Sequence, residues 1–259
     1  MPEARAHVGT SGWNYRWWRG VFYPEDVPQR DWHSYYVRHF DTVEINATFY
    51  RLQRVETFER WRAAAPQGFV YAVKAGRFIT HLKRLQDCEE PLANFLEGVR
   101  ALGATLGPIL YQLPPRFESD AGRLDAFVDL LPKDLVHVFE FRDASWFNPQ
   151  IKQLLERRGL VFCIHDHGRL EVPTWVTGPA AYWRFHGFTR GPGGNYADDA
   201  LAAAAKRMRE ELARGVPVYA YFNNDAHGYA VQDAMRLVKM LGIGEARREP
   251  RRRRQSAPH

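Results

Sequence analysis

Eight short apolar runs, separated by stretches with helical periodicity, constrain the fold of this 259-residue chain more than any other feature. Strands that alternate with helices predict a parallel sheet covered on both faces. Eight such units predict an α/β fold, a single (β/α)8 barrel of the TIM type with parallel strands. The predicted strands cover residues 7–12, 42–46, 69–75, 109–113, 136–141, 160–165, 180–186 and 216–222.

A doubly wound open sheet is the alternative arrangement of the same elements. It fits less well, because the first strand leads into GTSG at 9–12, which is too short for either of the common glycine-rich phosphate loops. An aromatic-rich first loop, WNYRWWRGVFY at 13–23, follows this strand. The predicted helices cover residues 32–39, 55–65, 90–102, 121–131, 149–158, 198–214 and 230–241.

The positive charge of the chain is concentrated at its C-terminal end. The net charge is +6, but residues 245–259 carry six Arg and two Glu, whereas the other 244 residues carry 30 basic and 28 acidic groups. This distribution predicts a barrel domain over 1–244 and a disordered arginine-rich tail over 245–259. The tail could add nonspecific affinity for nucleic acid, or it could be a solvated end with little role.

The chain shows no sign of a membrane or secreted protein. No apolar run approaches the roughly 20 residues that span a bilayer, and the N-terminal sequence MPEARAHVGTS lacks the apolar segment of a signal peptide. Cys88 and Cys163 have no motif spacing, which argues against a disulfide framework and against a structural zinc site. We therefore expect a cytoplasmic protein without a membrane partner.

Polar residues stand at the C-terminal end of strand after strand. In a barrel these ends converge on one face, where barrel enzymes place their active sites. The pattern therefore predicts a pocket at that face. In the second strand, Glu44, Asn46 and Thr48 share one parity, so an extended chain would point them to one side. The strand-end residues that we expect in the pocket are Glu44, Asn46, Lys74, Gln112, Glu140, Arg142, Arg184, His186 and Asn223. The sixth strand should contribute either Asp166 or the pair His165 and His167, because the two sets are out of phase along the chain.

The cations among these residues suggest an anionic ligand. Lys74 is costly to bury without a partner. It could form an ion pair with Glu44 or Glu140, or it could bind an anion or act as a base with a lowered pKa. Arg142 and Arg184 would bind a carboxylate or phosphate through two parallel hydrogen bonds.

The carboxylates leave two chemistries open. Glu44 and Glu140 could act as an acid/base pair, as in glycosidases. Together with Asp166 and His186 they could instead bind a divalent metal, although their spacing matches no compact ligand motif. The sequence identifies no other cofactor.

Aromatic residues near the expected pocket suggest a flat ligand that carries a ring. Trp13, Tyr15, Tyr50 and Trp146 are expected to wall the pocket and to stack on such a ring. Ordinary loop packing is the alternative for each of them.

Six motifs occur in the order found in a known family. They are GTSGWNYRWWRGVFYP at 9–24, FDTVEINATFYRLQ at 40–53, FVYAVKAGRFITH at 69–81, ILYQLPPRF at 109–117, VFEFRDASWF at 138–147, and YAYFNND with HGYA around 219–230. Over roughly 7–242 the chain resembles the YecE-like family, the domain-of-unknown-function family number seventy-two, and the arginine-rich tail lies outside this resemblance. The resemblance implies a TIM-barrel-like fold and no particular reaction.

The combined expectation is an enzyme with its site at the C-terminal face of the barrel. Glu44, Glu140 and Lys74 would be catalytic, and Asn46, Gln112, His186 and Asn223 would orient the substrate. The expected reaction is hydrolysis or isomerisation of a small phosphorylated or nucleotide-like molecule. A non-catalytic protein that binds nucleic acid or nucleotides is the alternative.

Overall fold

Eight parallel strands in a ring form the centre of the protein. A computed structural model describes residues 4–168, 170–187 and 194–243. Within these ranges the strand order is β1-β8-β7-β6-β5-β4-β3-β2, and every paired neighbour is parallel. The predicted TIM-type barrel is therefore confirmed. The strands are β1 Ala6–Thr10, β2 Thr42–Ile45, β3 Val70–Lys74, β4 Leu106–Gln112, β5 His137–Glu140, β6 Val161–His165, β7 Ala181–Phe185 and β8 Val218–Phe222.

Among the described residues, helices follow every strand except β6 and cover the barrel. Two of them begin at side chains that cap the helix: Asp120 accepts a hydrogen bond from the Arg123 N–H at 2.9 Å, and Asn148 accepts one from the Ile151 N–H at 3.0 Å. Pro149 occupies the first turn after Asn148, where its missing N–H costs nothing. The helices are α1 Trp32–Tyr36, α2 Ala47–Tyr50, α3 Val55–Ala64, α4 Glu89–Arg100, α5 Ala121–Asp129, α6 Pro149–Arg157, α7 Asp198–Ala213 and α8 Tyr229–Leu241.

The end of β2 differs from the sequence prediction. The strand ends at Ile45, and Thr48 lies on the short helix α2. The Thr48 hydroxyl donates a hydrogen bond to the Lys74 carbonyl at 2.6 Å. The expectation that Thr48 continues one face of an extended strand is therefore wrong, because the backbone turns into a helix directly after β2.

The barrel closes between β1 and β2 through a side chain as well as the backbone. The hydroxyl of the buried Tyr36 accepts a hydrogen bond from the Thr10 N–H at 2.9 Å and donates one to the Thr42 carbonyl at 3.1 Å. Gly9 lets the two strands come this close, because a Cβ at that position would lie 2.3 Å from the Thr42 oxygen. One step further along, Ser11 and Glu44 form a parallel bridge.

Tyr36→Phe should lower the free energy of unfolding by about 1–3 kcal/mol, because it leaves the buried Thr10 N–H without its acceptor. Urea unfolding followed by circular dichroism measures this loss. Tyr35→Phe is the matched control, since it removes the same atom from a neighbouring, half-buried tyrosine whose hydroxyl bonds to no other described residue. Equal losses in the two variants would contradict the closing role of Tyr36.

Two further sequence predictions do not concern the barrel architecture itself: the lack of a membrane-spanning helix and the arginine-rich tail. No helix in the described ranges is both long enough and apolar enough to cross a bilayer. The predicted tail over 245–259 lies outside the described residues.

Candidate functional site

A cavity of about 480 Å³ opens where the C-terminal ends of the strands meet. Seven of the eight strands are followed by, or end in, a residue that lines it. Of the predicted site residues, the structure brings six together here: Tyr50, Lys74, Gln112, Arg142, His186 and Asn223. The other residues that line it are Phe49, Arg77, His81 and His167.

Arg184 forms a buried ion network with both predicted catalytic carboxylates. Its side chain, like those of Glu44 and Glu140, is 0% exposed. Arg184 Nη2 donates to Glu44 Oε1 at 2.8 Å, and Arg184 Nη1 donates to Glu140 Oε2 at 2.7 Å. Ser11 Oγ also donates to Glu44 Oε1, and the Tyr182 hydroxyl donates to Glu44 Oε2 at 2.7 Å. These three charged residues lie outside the cavity lining, so Arg184 is not free to clamp a ligand.

Glu140 positions Arg142 at the cavity. Arg142 Nε donates to Glu140 Oε1, and Arg142 Nη2 lies 3.2 Å from His186 Nε2. Burial opposes ionisation of Glu140, but Arg142 and Arg184 outweigh it and hold the pKa of this carboxyl well below its usual range. A buried carboxylate that stays ionised between two guanidinium groups is poorly suited to proton transfer. The geometry therefore favours a positioning role for Glu140.

Lys74 is the buried cation left without a carboxylate. It is 6% exposed and lines the cavity, and within the described part of the chain its Nζ forms no ion pair. The group lies 4.0 Å from the centre of the Phe49 ring, a cation–π contact. Burial, followed by the charge of Arg184, lowers the pKa of Lys74 to about 7. Glu44 and Glu140, the two partners considered from the sequence, pair with arginines instead.

The histidines of the cavity contribute hydrogen bonds rather than charge. Burial, with the charge of Lys74 next, lowers the pKa of His81 to about 4, and burial with the charge of Arg142 does the same for His167. Burial and then Arg184 hold the pKa of His186 well below its usual range. Near pH 7 all three are neutral. None of the described residues that line the cavity is acidic, so its charge is positive.

The four metal-ligand candidates do not form a metal site. Asp166 Oδ1 accepts the His186 backbone N–H at 2.7 Å, and Asp166 Oδ2 accepts the Tyr196 hydroxyl. Glu44 and Glu140 accept hydrogen bonds from Arg184. Across residues 4–168, 170–187 and 194–243, no group of three or more His, Cys, Asp and Glu side chains could hold a metal ion. The donor set therefore does not fit a divalent metal.

Two of the predicted aromatic walls pack elsewhere. Trp146 is fully buried, stacks on Phe141 at 4.6 Å and donates its indole N–H to the Phe117 carbonyl at 2.6 Å. Trp13 packs edge-on against Trp61 at 5.3 Å. For these residues the loop-packing alternative describes the contacts better than stacking on a ligand does.

Tyr15 and Asn46 also lie outside the cavity lining. The Tyr15 hydroxyl donates to the Ser11 carbonyl at 2.6 Å. Asn46 precedes α2, and its buried side-chain oxygen has no hydrogen-bond partner among the described residues. Of the four predicted aromatic walls, only Tyr50 faces the cavity.

Arg77 and His81 line the cavity but were not among the predicted site residues. Both belong to the segment after β3, which forms a π-helical turn at Phe78–Leu82. Such turns occur frequently at functional sites, but they have no sequence signature that could have identified this one. The available signal was a strand-end lysine followed within seven residues by an arginine and a histidine.

Comparison with known proteins places these features in a family. The UPF0759 protein YunF from Bacillus subtilis (strain 168) is 25% identical over 95% of this chain and 98% of its own length. The UPF0759 protein YecE from Escherichia coli (strain K12) is 31% identical over 48% of this chain and 46% of its own. The crystal structure of a DUF72 family protein from Thermotoga maritima MSB8 matches with a TM-score of 0.82 and 28% identity, covering 92% of this chain and 99% of that one.

The family match itself spans residues 7–257 and carries the description "Protein of unknown function DUF72". It reaches beyond residue 242 and includes most of the arginine-rich tail, which the motif resemblance had left out. Because the match covers nearly the whole sequence, the chain belongs to the DUF72 family, as its motifs predicted.

Proposed function

We propose that this protein is an enzyme that binds a small phosphorylated or nucleotide-like anion in the cavity and isomerises it, with Lys74 as the base. One observation carries the proposal. The Lys74 amine lies in the wall of the cavity that Arg77 and Arg142 also line, without an ion pair to any described residue. The proposed location is the cytoplasm, and the proposed partner is a small molecule. The nucleic-acid alternative depends on the tail, which lies outside the described residues.

The two arginines support the binding of an anion. Arg77 is exposed at the cavity and forms no ion pair within the described residues. Arg142 is fixed through Nε and Nη2, and its Nη1 donates to no other described residue. Guanidinium groups suit phosphate because their planar N–H donors match two of its oxygens. A bound phosphate would also stabilise the protonated form of Lys74.

The amine supports proton transfer rather than hydrolysis by a pair of carboxylates. A general base is most effective when its pKa lies near the working pH, and the pKa of Lys74 is about 7. About half of such amines are neutral at pH 7 and can accept a proton from carbon. Hydrolysis by paired carboxylates needs two of them at the substrate, whereas Glu44 and Glu140 are buried behind Arg184.

Exchange of carbon-bound protons with solvent deuterium, followed by NMR on a panel of phosphorylated aldoses and ketoses, tests this proposal. We expect the wild-type protein to exchange the proton next to the carbonyl carbon of at least one compound. Lys74→Met should lower that rate by about a hundredfold, which is a typical contribution of a general base. A panel that binds without exchange, or an unchanged rate in Lys74→Met, would contradict the proposed reaction.

The same assay separates binding from chemistry. Arg77→Ala should raise KM about tenfold and leave kcat nearly unchanged, because it removes a hydrogen bond to the anion and leaves Lys74 in place. Arg207→Ala on α7 is the matched control, since it removes the same charge from an exposed position outside the cavity. Equal KM values for the two variants would rule out an anion contact by Arg77.

A further inference from the structure

A second groove, of about 440 Å³, opens directly beside the cavity. It lies between the segment after β2, the π-helical turn after β3 and the start of α4. Phe49, Tyr50 and Arg77 line both the groove and the cavity. The two spaces therefore adjoin at these three side chains, and a single ligand could reach across them from one space into the other.

The groove exposes large apolar side chains. Tyr50 is 70% exposed, Leu52 50% and Phe78 49%, and all three line it. Its inner surface is formed by Ile79 and Phe95, which are only 2% exposed. Grouped apolar side chains at the surface of a soluble protein mark binding sites more often than isolated ones do. The occupant of this groove should therefore present an apolar or aromatic face.

Hydrogen-bonding groups border the same groove. Glu90 and Asn94 are exposed, lie one helical turn apart on α4, and line it together. A simple acyl chain would make no use of them. A planar heterocycle would use both features, because its faces pack on Tyr50 and Phe78 while its edge meets the carboxylate and the amide.

From the adjacency of the two spaces and the groups that line the groove, we infer that the substrate is a sugar phosphate that carries a planar aromatic or heterocyclic ring. The phosphate lies with Arg77 and Arg142, the reacting carbon faces Lys74, and the ring occupies the groove. This inference rests on the proposed function, because it assumes that the cavity binds the phosphate. It adds the chemical class of the remaining part of the substrate.

Isothermal titration calorimetry with two probes tests the inference separately from the proposed function. Ribose 5-phosphate reports on the cavity alone, and adenosine 5′-monophosphate adds a ring. The wild-type protein should bind the ring-bearing probe about ten- to a hundredfold more tightly, the range expected when one base stacks on aromatic side chains. Phe78→Ser should abolish most of this preference and leave the affinity for ribose 5-phosphate unchanged.

Leu82→Ser is the matched control, because Leu82 belongs to the same π-helical turn and is 63% exposed, but does not line the groove. It should retain the preference for the ring. Equal affinities of the two probes for the wild-type protein, or an unchanged preference in Phe78→Ser, would overturn the assignment of the groove and leave the proposed function standing. Failure of both probes to bind would overturn the proposed function and this inference with it.

Discussion

Arg184→Met should lower the free energy of unfolding by about 3–5 kcal/mol, the loss expected when one partner of a buried ion pair is removed. Arg184 donates to Glu44 through Nε and Nη2 and to Glu140 through Nη1, and all three side chains are 0% exposed. In the variant, Glu140 keeps Arg142, whereas the partners left to Glu44 among the described residues are the hydroxyls of Ser11 and Tyr182. The cost therefore comes mainly from an uncompensated charge at Glu44.

A second substitution in the same chain shows whether the uncompensated charge at Glu44 causes the loss of stability. Arg184→Met combined with Glu44→Gln removes both members of the pair, so it should recover much of the stability lost in the single variant. Urea unfolding at pH 7, followed by circular dichroism, gives both values. Arg184→Lys keeps the charge but loses the planar guanidinium group. Its free energy of unfolding should lie between those of Arg184→Met and the wild-type protein. A loss below about 1 kcal/mol in Arg184→Met would show that the network contributes little to the fold.

The stability of this network also depends on pH. The folded-state pKa of Glu140 lies well below its unfolded value, because Arg142 and Arg184 outweigh the effect of burial. A carboxyl with a depressed pKa stabilises the fold above its unfolded pKa of about 4.3, and this contribution disappears as the pH falls through the folded-state value. Comparisons among the Arg184 variants therefore belong near pH 7, where Glu140 is ionised in both states.

The barrel could be predicted from the sequence because its signal is local. Each apolar run, such as 160–165, and each helical stretch, such as 149–158, is specified by residues a few positions apart. The Asn-Pro pair that begins α6 is equally local. Strands that alternate with helices have few compact arrangements, so eight local predictions were enough to indicate the whole architecture.

The pairing of charges at the site could not be predicted in the same way. Parity along a strand shows that Glu44, Lys74, Glu140 and Arg184 can point inward, but not which of them meet. That depends on the tilt and stagger of strands on opposite sides of the barrel. Arg184 on β7 reaches both carboxylates, and Lys74 on β3 reaches neither. Lys74, which the sequence offered as an ion-pair partner of these carboxylates, is therefore the cavity amine that pairs with no described carboxylate.

The position of the Trp146 side chain is a second feature that could not be predicted from the sequence. An indole beside a strand end has the same local pattern whether it walls a pocket or packs inside the protein. The outcome depends on the Phe117 carbonyl, which accepts its N–H from 29 residues away. Arg77 and His81 show the converse, since a π-helical turn without a sequence signature brings them to the cavity.

Lys74 should react with a small acylating reagent with a pH midpoint near 7, because burial, followed by the charge of Arg184, lowers its pKa to about 7. Only the neutral amine is nucleophilic. At pH 7 about half of the Lys74 side chains are neutral, whereas an ordinary exposed lysine with a pKa of about 10.4 is neutral in roughly one molecule in 2,500. The neutral fraction of Lys74 is thus about a thousandfold larger.

Competitive acetylation between pH 5 and 10, followed by peptide mass spectrometry, measures this midpoint. Burial slows the approach of the reagent at every pH, so the midpoint is a better measure of protonation than the absolute rate. The exposed Lys206 on α7 provides an internal reference in the same digest. Ribose 5-phosphate should both slow the labelling of Lys74 and raise its midpoint, because an anion held by Arg77 and Arg142 stabilises the ammonium form.

The two results together distinguish a catalytic amine from a structural cation. A midpoint above about 9 would mean that Lys74 stays protonated in the cavity, and it would then bind the anion without accepting a proton from it. A midpoint near 7 that does not move with ribose 5-phosphate would mean that no anion binds beside it. A low midpoint that rises with the ligand, yet stays near the working pH, fits an amine that lies close to the bound phosphate and is still partly neutral in the complex, as a base must be.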